Sequence, residues 1–104
     1  MACKLIWSPS ARDDLRDIVR FIARDSRARA EAFGFRMIQS VEGLQEFPEM
    51  GRVVPEYGMG EIRELIIRSY RIVYRVDHSR RTVEIARVWH AARGTPELGP
   101  ATGD

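Results

Sequence analysis

"IRELIIRSYRIVYRVDHSRRTVEIARVWH", from Ile62 to His90, holds three strand-like runs and little else. IRELIIR is parted from YRIVYRVD only by the neighbourhood of Ser69, and HSRR parts YRIVYRVD from TVEIARVWH. β-Branched and aromatic residues fill each run, and gaps this short suit hairpins. The stretch predicts three consecutive antiparallel strands. In the middle run Ile72, Tyr74 and Val76 alternate as the core-facing set, which turns Arg71, Val73 and Arg75 to the other face, beside Arg87. A regular third run places Ile85, Arg87 and Trp89 on one face and Ala86, Val88 and His90 on the other. Arg87 and His90 then point apart, unless the strand ends or bulges around Trp89.

Working upstream, PEMGRVVPEYGMGE (residues 48–61) reads as a loop, with three glycines and two prolines in fourteen residues. Before it, a helix is predicted from about Ala28 to Phe47, with Ala30, Phe33, Met37, Val41 and Leu44 as its inward stripe and Ile38 alongside; Pro48 stops it. A shorter helix precedes that one. SPSARDDL supplies Ser8 or Ser10 as N-cap, Pro9 in the first turn, and acids nearby. Ala11, Leu15, Ile18, Val19 and Ile22 form one apolar face, with Arg12, Arg16, Arg20 and Arg24 on the opposite side. The break at DSRARA is short, so the two helices form an antiparallel hairpin. CKLIW is a first strand. The order β-α-α-β-β-β predicts a two-layer α+β domain, the helical hairpin packed on a small antiparallel sheet. Residues 1–96 form a single domain and 97–104, Gly/Pro-rich, a loose tail.

Composition narrows the function classes. Cys3 is the one cysteine in 104 residues, so neither an internal disulfide nor a thiolate metal site is expected. His78 and His90, twelve residues apart, make no ligand set, and YGMGE lacks the Lys and the length of a phosphate loop. No metal or cofactor is implied. No apolar run reaches membrane length and no signal peptide is visible, which suits a reducing cytoplasm. Charge is uneven. Residues 61–93 hold eight arginines against four acids, +4, while residues 1–60 balance to zero. That excess fits an anionic partner or a solvated strand edge.

With these elements in order, SPSARDDLRDIVRFIA, FPEMGRVVPE, RELIIRSYRIVYRV and VEIARVWHAAR resemble the RelE/ParE superfamily of type II toxin–antitoxin (plasmid stabilisation) toxins. The matching stretches cover most of residues 4–93. The resemblance implies a cytoplasmic toxin neutralised by a cognate antitoxin that lies over it. RelE-like members cut mRNA in the ribosome, and ParE-like members inhibit DNA gyrase by binding it.

The residues choose between these branches. Cutting RNA through its 2′-OH needs a base, cations at the phosphorane and an acid for the leaving oxygen. Arg63, Arg71, Arg87 and His90 are the candidates for that chemistry. The tail after His90, AARGTPELGPATGD, offers no Tyr, His or Lys as acid, and HAAR resembles the His-small-small-Arg close of ParE-like members. The expectation is therefore a ParE-like gyrase inhibitor, a binder rather than an enzyme. Arg71, Arg75, Arg87, Trp89 and Arg93 would form its target surface, and Leu15, Ile18, Val19 and Ile22 would meet the antitoxin. The alternatives are a ribosome-dependent mRNA endonuclease and a homologue that keeps antitoxin binding without toxicity.

Overall fold

Two serines open the helical layer. Ser8 holds an extended backbone and accepts from the Ala11 amide at 3.0 Å, with Pro9 at the first helical position; helix α1 then runs Pro9–Ala23. Ser26 caps α2, Arg27–Glu42, through the Arg29 amide at 3.1 Å. Each such cap satisfies an amide the helix cannot, typically worth about 1 kcal/mol. The computed structural model describes residues 2–58 and 61–100.

α2 ends at Glu42, short of the predicted Phe47, and a 3-10 turn Gly43–Gln45 follows. Glycine is a poor helix residue, and tertiary bonds claim the turn. The Cys3 amide donates to the Gln45 carbonyl at 2.8 Å, and the Gln45 side-chain amide donates to the Cys3 carbonyl at 3.2 Å.

The strands are β1 Lys4–Trp7, β2 Arg52–Val53, β3 Ile62–Ile67, β4 Tyr70–Asp77 and β5 Thr82–His90, in one sheet ordered β1-β5-β4-β3-β2. The three predicted hairpin strands are antiparallel neighbours. β1, however, lies parallel to β5, so the sheet is mixed, and β2 adds a short strand inside the stretch read as loop. Neither feature has a local signature. A helical crossover, not periodicity, sets the direction of β1, and a two-residue strand has no period to read.

The predicted α2 stripe is the core. Ala30, Phe33, Met37, Val41 and Leu44 are buried, the last four against Ile72, Tyr74, Val76, Val83, Ile85 and Val88 of β4 and β5. Leu15, Ile18, Val19 and Ile22 are half-buried against the same cluster. Ile38, expected alongside the stripe, faces outward.

β5 departs from regular alternation. Val73 pairs with Arg87 and Tyr74 with Ile85, which leaves Ala86 as an extra residue, a β-bulge. Past it the pattern resumes one step out of phase. Val83, Ile85 and Val88 all reach the core under the helices. His90 follows Val88 to that side, edge-on to Tyr70, whose ring meets Phe33 in turn. Arg87 and Trp89 face away. The expected grouping of Ile85 with Arg87 and Trp89 is therefore wrong, because the bulge stands before Arg87 rather than around Trp89. The Ser8 hydroxyl donates to the Ala86 carbonyl at 2.9 Å and its amide donates to Ile85 at 3.0 Å. One residue thus caps α1 and ties down the bulge.

Candidate functional site

The sheet face away from the helices carries Glu64 of β3, Arg71, Val73 and Arg75 of β4, and Glu84, Arg87 and Trp89 of β5. Cross-strand register makes its charges meet. Arg71 Nε donates to Glu64 Oε1 at 2.5 Å, and Arg52 holds the other oxygen at 2.6 Å. The Glu64 side chain is wholly buried, a placement a carboxylate tolerates only when paired. Arg75 stands opposite Glu84 and bonds it at 2.9 Å. Arg87 forks onto Asp14 of α1, Nε to Oδ2 at 2.7 Å and Nη2 to Oδ1 at 2.9 Å. The same carboxylate accepts the Val88 amide at 3.0 Å, beyond the point where β1 ends. Its hydrogen bond holds the Arg87 guanidinium above its ordinary pKa, so Arg87 stays charged. The charge count over residues 61–93 therefore overstated how bare this face is. Arg71, Arg75 and Arg87 are all tied to carboxylates, one of them supplied by α1.

At the end of β5 the guanidiniums of Arg87 and Arg93 lie over the Trp89 ring, 4.6 Å and 3.8 Å from its centroid. Among the described residues, Trp89 Nε1 and Arg71 Nη2 are buried without a hydrogen-bond partner. Both are donors, and Arg71 and Trp89 are register partners.

Gly94, at φ 78°, turns the chain back across this face. Arg71 Nη1 donates to the Gly94 carbonyl at 2.6 Å, Tyr57 Oη to Pro96, Arg87 Nη1 to Glu97 at 3.4 Å and Arg75 Nη2 to Gly99. Leu98 packs with Tyr57 on Val54, Ile62 and Val73. Residues 97–99, read from sequence as part of a tail, thus lie along the sheet; residues 101–104 fall outside the described part. Burial pushes the Tyr57 hydroxyl up. Glu56 is held below the usual carboxylate range by its backbone amide and by Thr95, which donates to it at 3.1 Å.

The nuclease candidates do not meet. Arg71 and Arg87 share the sheet face away from the helices. Arg63, one step out of phase with Glu64, turns the other way and donates to the Gly51 carbonyl at 2.8 Å. His90 lies under the helical layer, where its Nδ1 accepts the Ala92 amide at 3.1 Å and caps the 3-10 turn Ala91–Arg93. The proposed target residues Arg71, Arg75, Arg87, Trp89 and Arg93 do gather on one side. Leu15, Ile18, Val19 and Ile22 spend their inner surfaces on the core. Sequence reasoning missed Glu64 and Asp14. Glu64 had a signal, an acid in the middle of an apolar strand; Asp14 had none, since its partner is far along the chain. Among the described residues no group of three or more His, Cys, Asp and Glu could hold a metal ion, and no helix is long and apolar enough to cross a membrane.

The family model for the ParE toxin of type II toxin–antitoxin systems, parDE, matches residues 5–94. Toxin RelE2 of Caulobacter vibrioides is 32% identical over 91 residues, which span 86% of this chain and 97% of that protein. Among solved structures, the chromosomal ParDE toxin–antitoxin system of P. aeruginosa aligns with a TM-score of 0.71 at 19% identity, over 86% of this chain and 96% of that one. The RelBE2 toxin–antitoxin complex of Mycobacterium tuberculosis aligns at 0.62 and 22% identity, over 88% and 94%. These two similarities show the shared fold.

Proposed function

The chain belongs to the ParE toxin family of type II toxin–antitoxin systems, and from that premise we propose that it acts by gripping DNA gyrase, with a cognate antitoxin neutralising it in the cytoplasm. One observation carries this reading: the groups that would have to surround a single phosphate lie on opposite faces of the sheet. Arg71 and Arg87 are on one face and His90 is on the other, its Nδ1 committed to a backbone amide. Arginines stay protonated near neutral pH and cannot take a proton from a 2′-OH. What the end of β5 does offer is an aromatic–arginine cluster, Trp89 with Arg87 and Arg93, of the kind that anchors protein interfaces.

A ribosome-dependent mRNA endonuclease is the second reading, favoured by the 32% identity to a protein named Toxin RelE2. A non-toxic homologue that still binds the antitoxin is the third. A short pulse of expression without antitoxin, followed by mapping of new RNA 5′ ends and a gyrase supercoiling assay on the purified protein, separates the three. Gyrase inhibition without fresh RNA cuts is expected. Trp89→Ala should weaken that inhibition by about 10-fold or more, the loss of an interface anchor, and His90→Ala should change it little. Cuts inside translated codons that vanish with His90→Ala would replace this reading with the nuclease.

A further inference from the structure

We propose that the outer face of the helical hairpin is a self-association surface, covered by a second copy of this chain across a two-fold axis that runs along the hairpin. The starting observation is that α2 is apolar on two opposite sides. At about 3.6 residues per turn, Phe35 points away from the buried pair Phe33 and Met37. Phe35 is 66% exposed and Ile38, one turn on, is 39% exposed. Ala28 and Ala32 flank them, and the charges sharing that side are Glu31, Glu42 and, in the first turn, Arg27. Isolated exposed apolar residues are ordinary, but a helix with a second apolar side has a surface still to cover. The same acidic, apolar character continues past the helix in Glu46, Phe47, Glu49 and Met50, all exposed.

α1 presents the opposite charge. Arg16, Arg20 and Arg24 line its outer side with Arg12 towards α2, against Asp13 and Asp17. Asp13 pairs with Arg16 at 2.7 Å. Within the described chain Arg12, Arg20, Glu31 and Glu42 form no ion pair. Val19 and Gly34 set the level of the two antiparallel helices, a Cβ on Gly34 coming 3.7 Å from Val19. Counting outward from that level, Glu42 stands level with Arg12, and Glu31 stands between Arg20 and Arg24.

A cationic strip beside an acidic, apolar strip is its own complement. A two-fold axis along the hairpin lays α1 of each copy over α2 of the other, at the same level. Arg12 then faces Glu42, Arg20 and Arg24 face Glu31, each contact occurs twice, and Phe35 and Ile38 leave water. Helices of 15 and 16 residues give a footprint of roughly 500 Å² per copy, below the ~800 Å² of a standard interface. The dimer is accordingly weak and concentration-dependent. It leaves the Trp89 cluster at the end of β5 uncovered, so it stands or falls independently of the gyrase reading.

Sedimentation equilibrium of the purified full chain, from about 1 to about 500 μM, tests it, with an expected monomer–dimer Kd on the order of 10–100 μM. Phe35→Asp should weaken association at least about 10-fold while thermal unfolding stays unchanged, because Phe35 supports no core. Glu42→Arg should weaken it too, and adding Arg12→Glu to that chain should restore it. A chain monomeric throughout overturns the proposal and leaves the face to the antitoxin. A dimer indifferent to Phe35→Asp, or a double variant that fails to recover, overturns it as well.

Discussion

Beneath the helices the sheet meets Phe33, Met37, Val41 and Leu44, side chains without a charge among them, whereas on its other face β3, β4 and β5 meet through Glu64 with Arg71 and Arg75 with Glu84. The first contact is cumulative. Each methylene adds its own small gain, and losing one side chain leaves the rest at work. The second contact is conditional. A buried carboxylate is tolerable only while its guanidinium is present, so removing one member turns a neutral pair into a stranded charge. The faces should therefore fail differently.

The largest effect expected is from Glu64→Ala, which leaves Arg71 buried without its carboxylate. It should cost about 4 kcal/mol in chemical denaturation, and replacing both partners with apolar residues, Glu64→Met with Arg71→Leu, should recover most of that. A cost below about 1 kcal/mol for Glu64→Ala, in the range of an exposed pair, would erase the contrast. Met37→Ala, on the helical face, should cost about 3 kcal/mol, and no second substitution on the sheet should rescue it, because what is lost is volume. Ser8→Ala removes a helix cap and strands the Ala86 carbonyl together, and should cost about 2 kcal/mol by the same measurement. The smallest effect is set by pH. Burial raises the Tyr57 hydroxyl above its ordinary value near 10.0, so the stability it contributes is complete below about pH 10 and is lost as pH rises through the folded value. Denaturation series between about pH 9 and pH 11 should show that decline for the wild type and a shallower one for Tyr57→Phe.

The same contrast explains what could be read from the chain. The helical face obeys periods, and the stripe Ala30, Phe33, Met37, Val41 and Leu44 could be written down from spacing. So could the split of β4 into Ile72, Tyr74 and Val76 against Arg71, Val73 and Arg75. The other face obeys pairings, which have no period. That Arg87 is answered by Asp14, 73 positions earlier, depends on α1 lying along β5. Counting charges along residues 61–93 cannot supply that. The bulge at Ala86 was equally hidden, since Ala neither breaks a strand nor marks one. α2's outer side was legible in part: Ile38 fits an inward stripe loosely, and only the helix's observed rotation assigns it outward.

That bulge bears on how the chain tolerates a change of length. Losing one residue from a strand ordinarily turns every later side chain to the wrong face. Excising Ala86 would not. Ile85 would be followed directly by Arg87, inward and then outward, and Val88, Trp89 and His90 would keep the faces they now hold. In the middle of its best-paired strand this protein carries a site where the loss of a single codon leaves the surface pattern intact, and a version one residue shorter there would still present the same tryptophan between the same arginines.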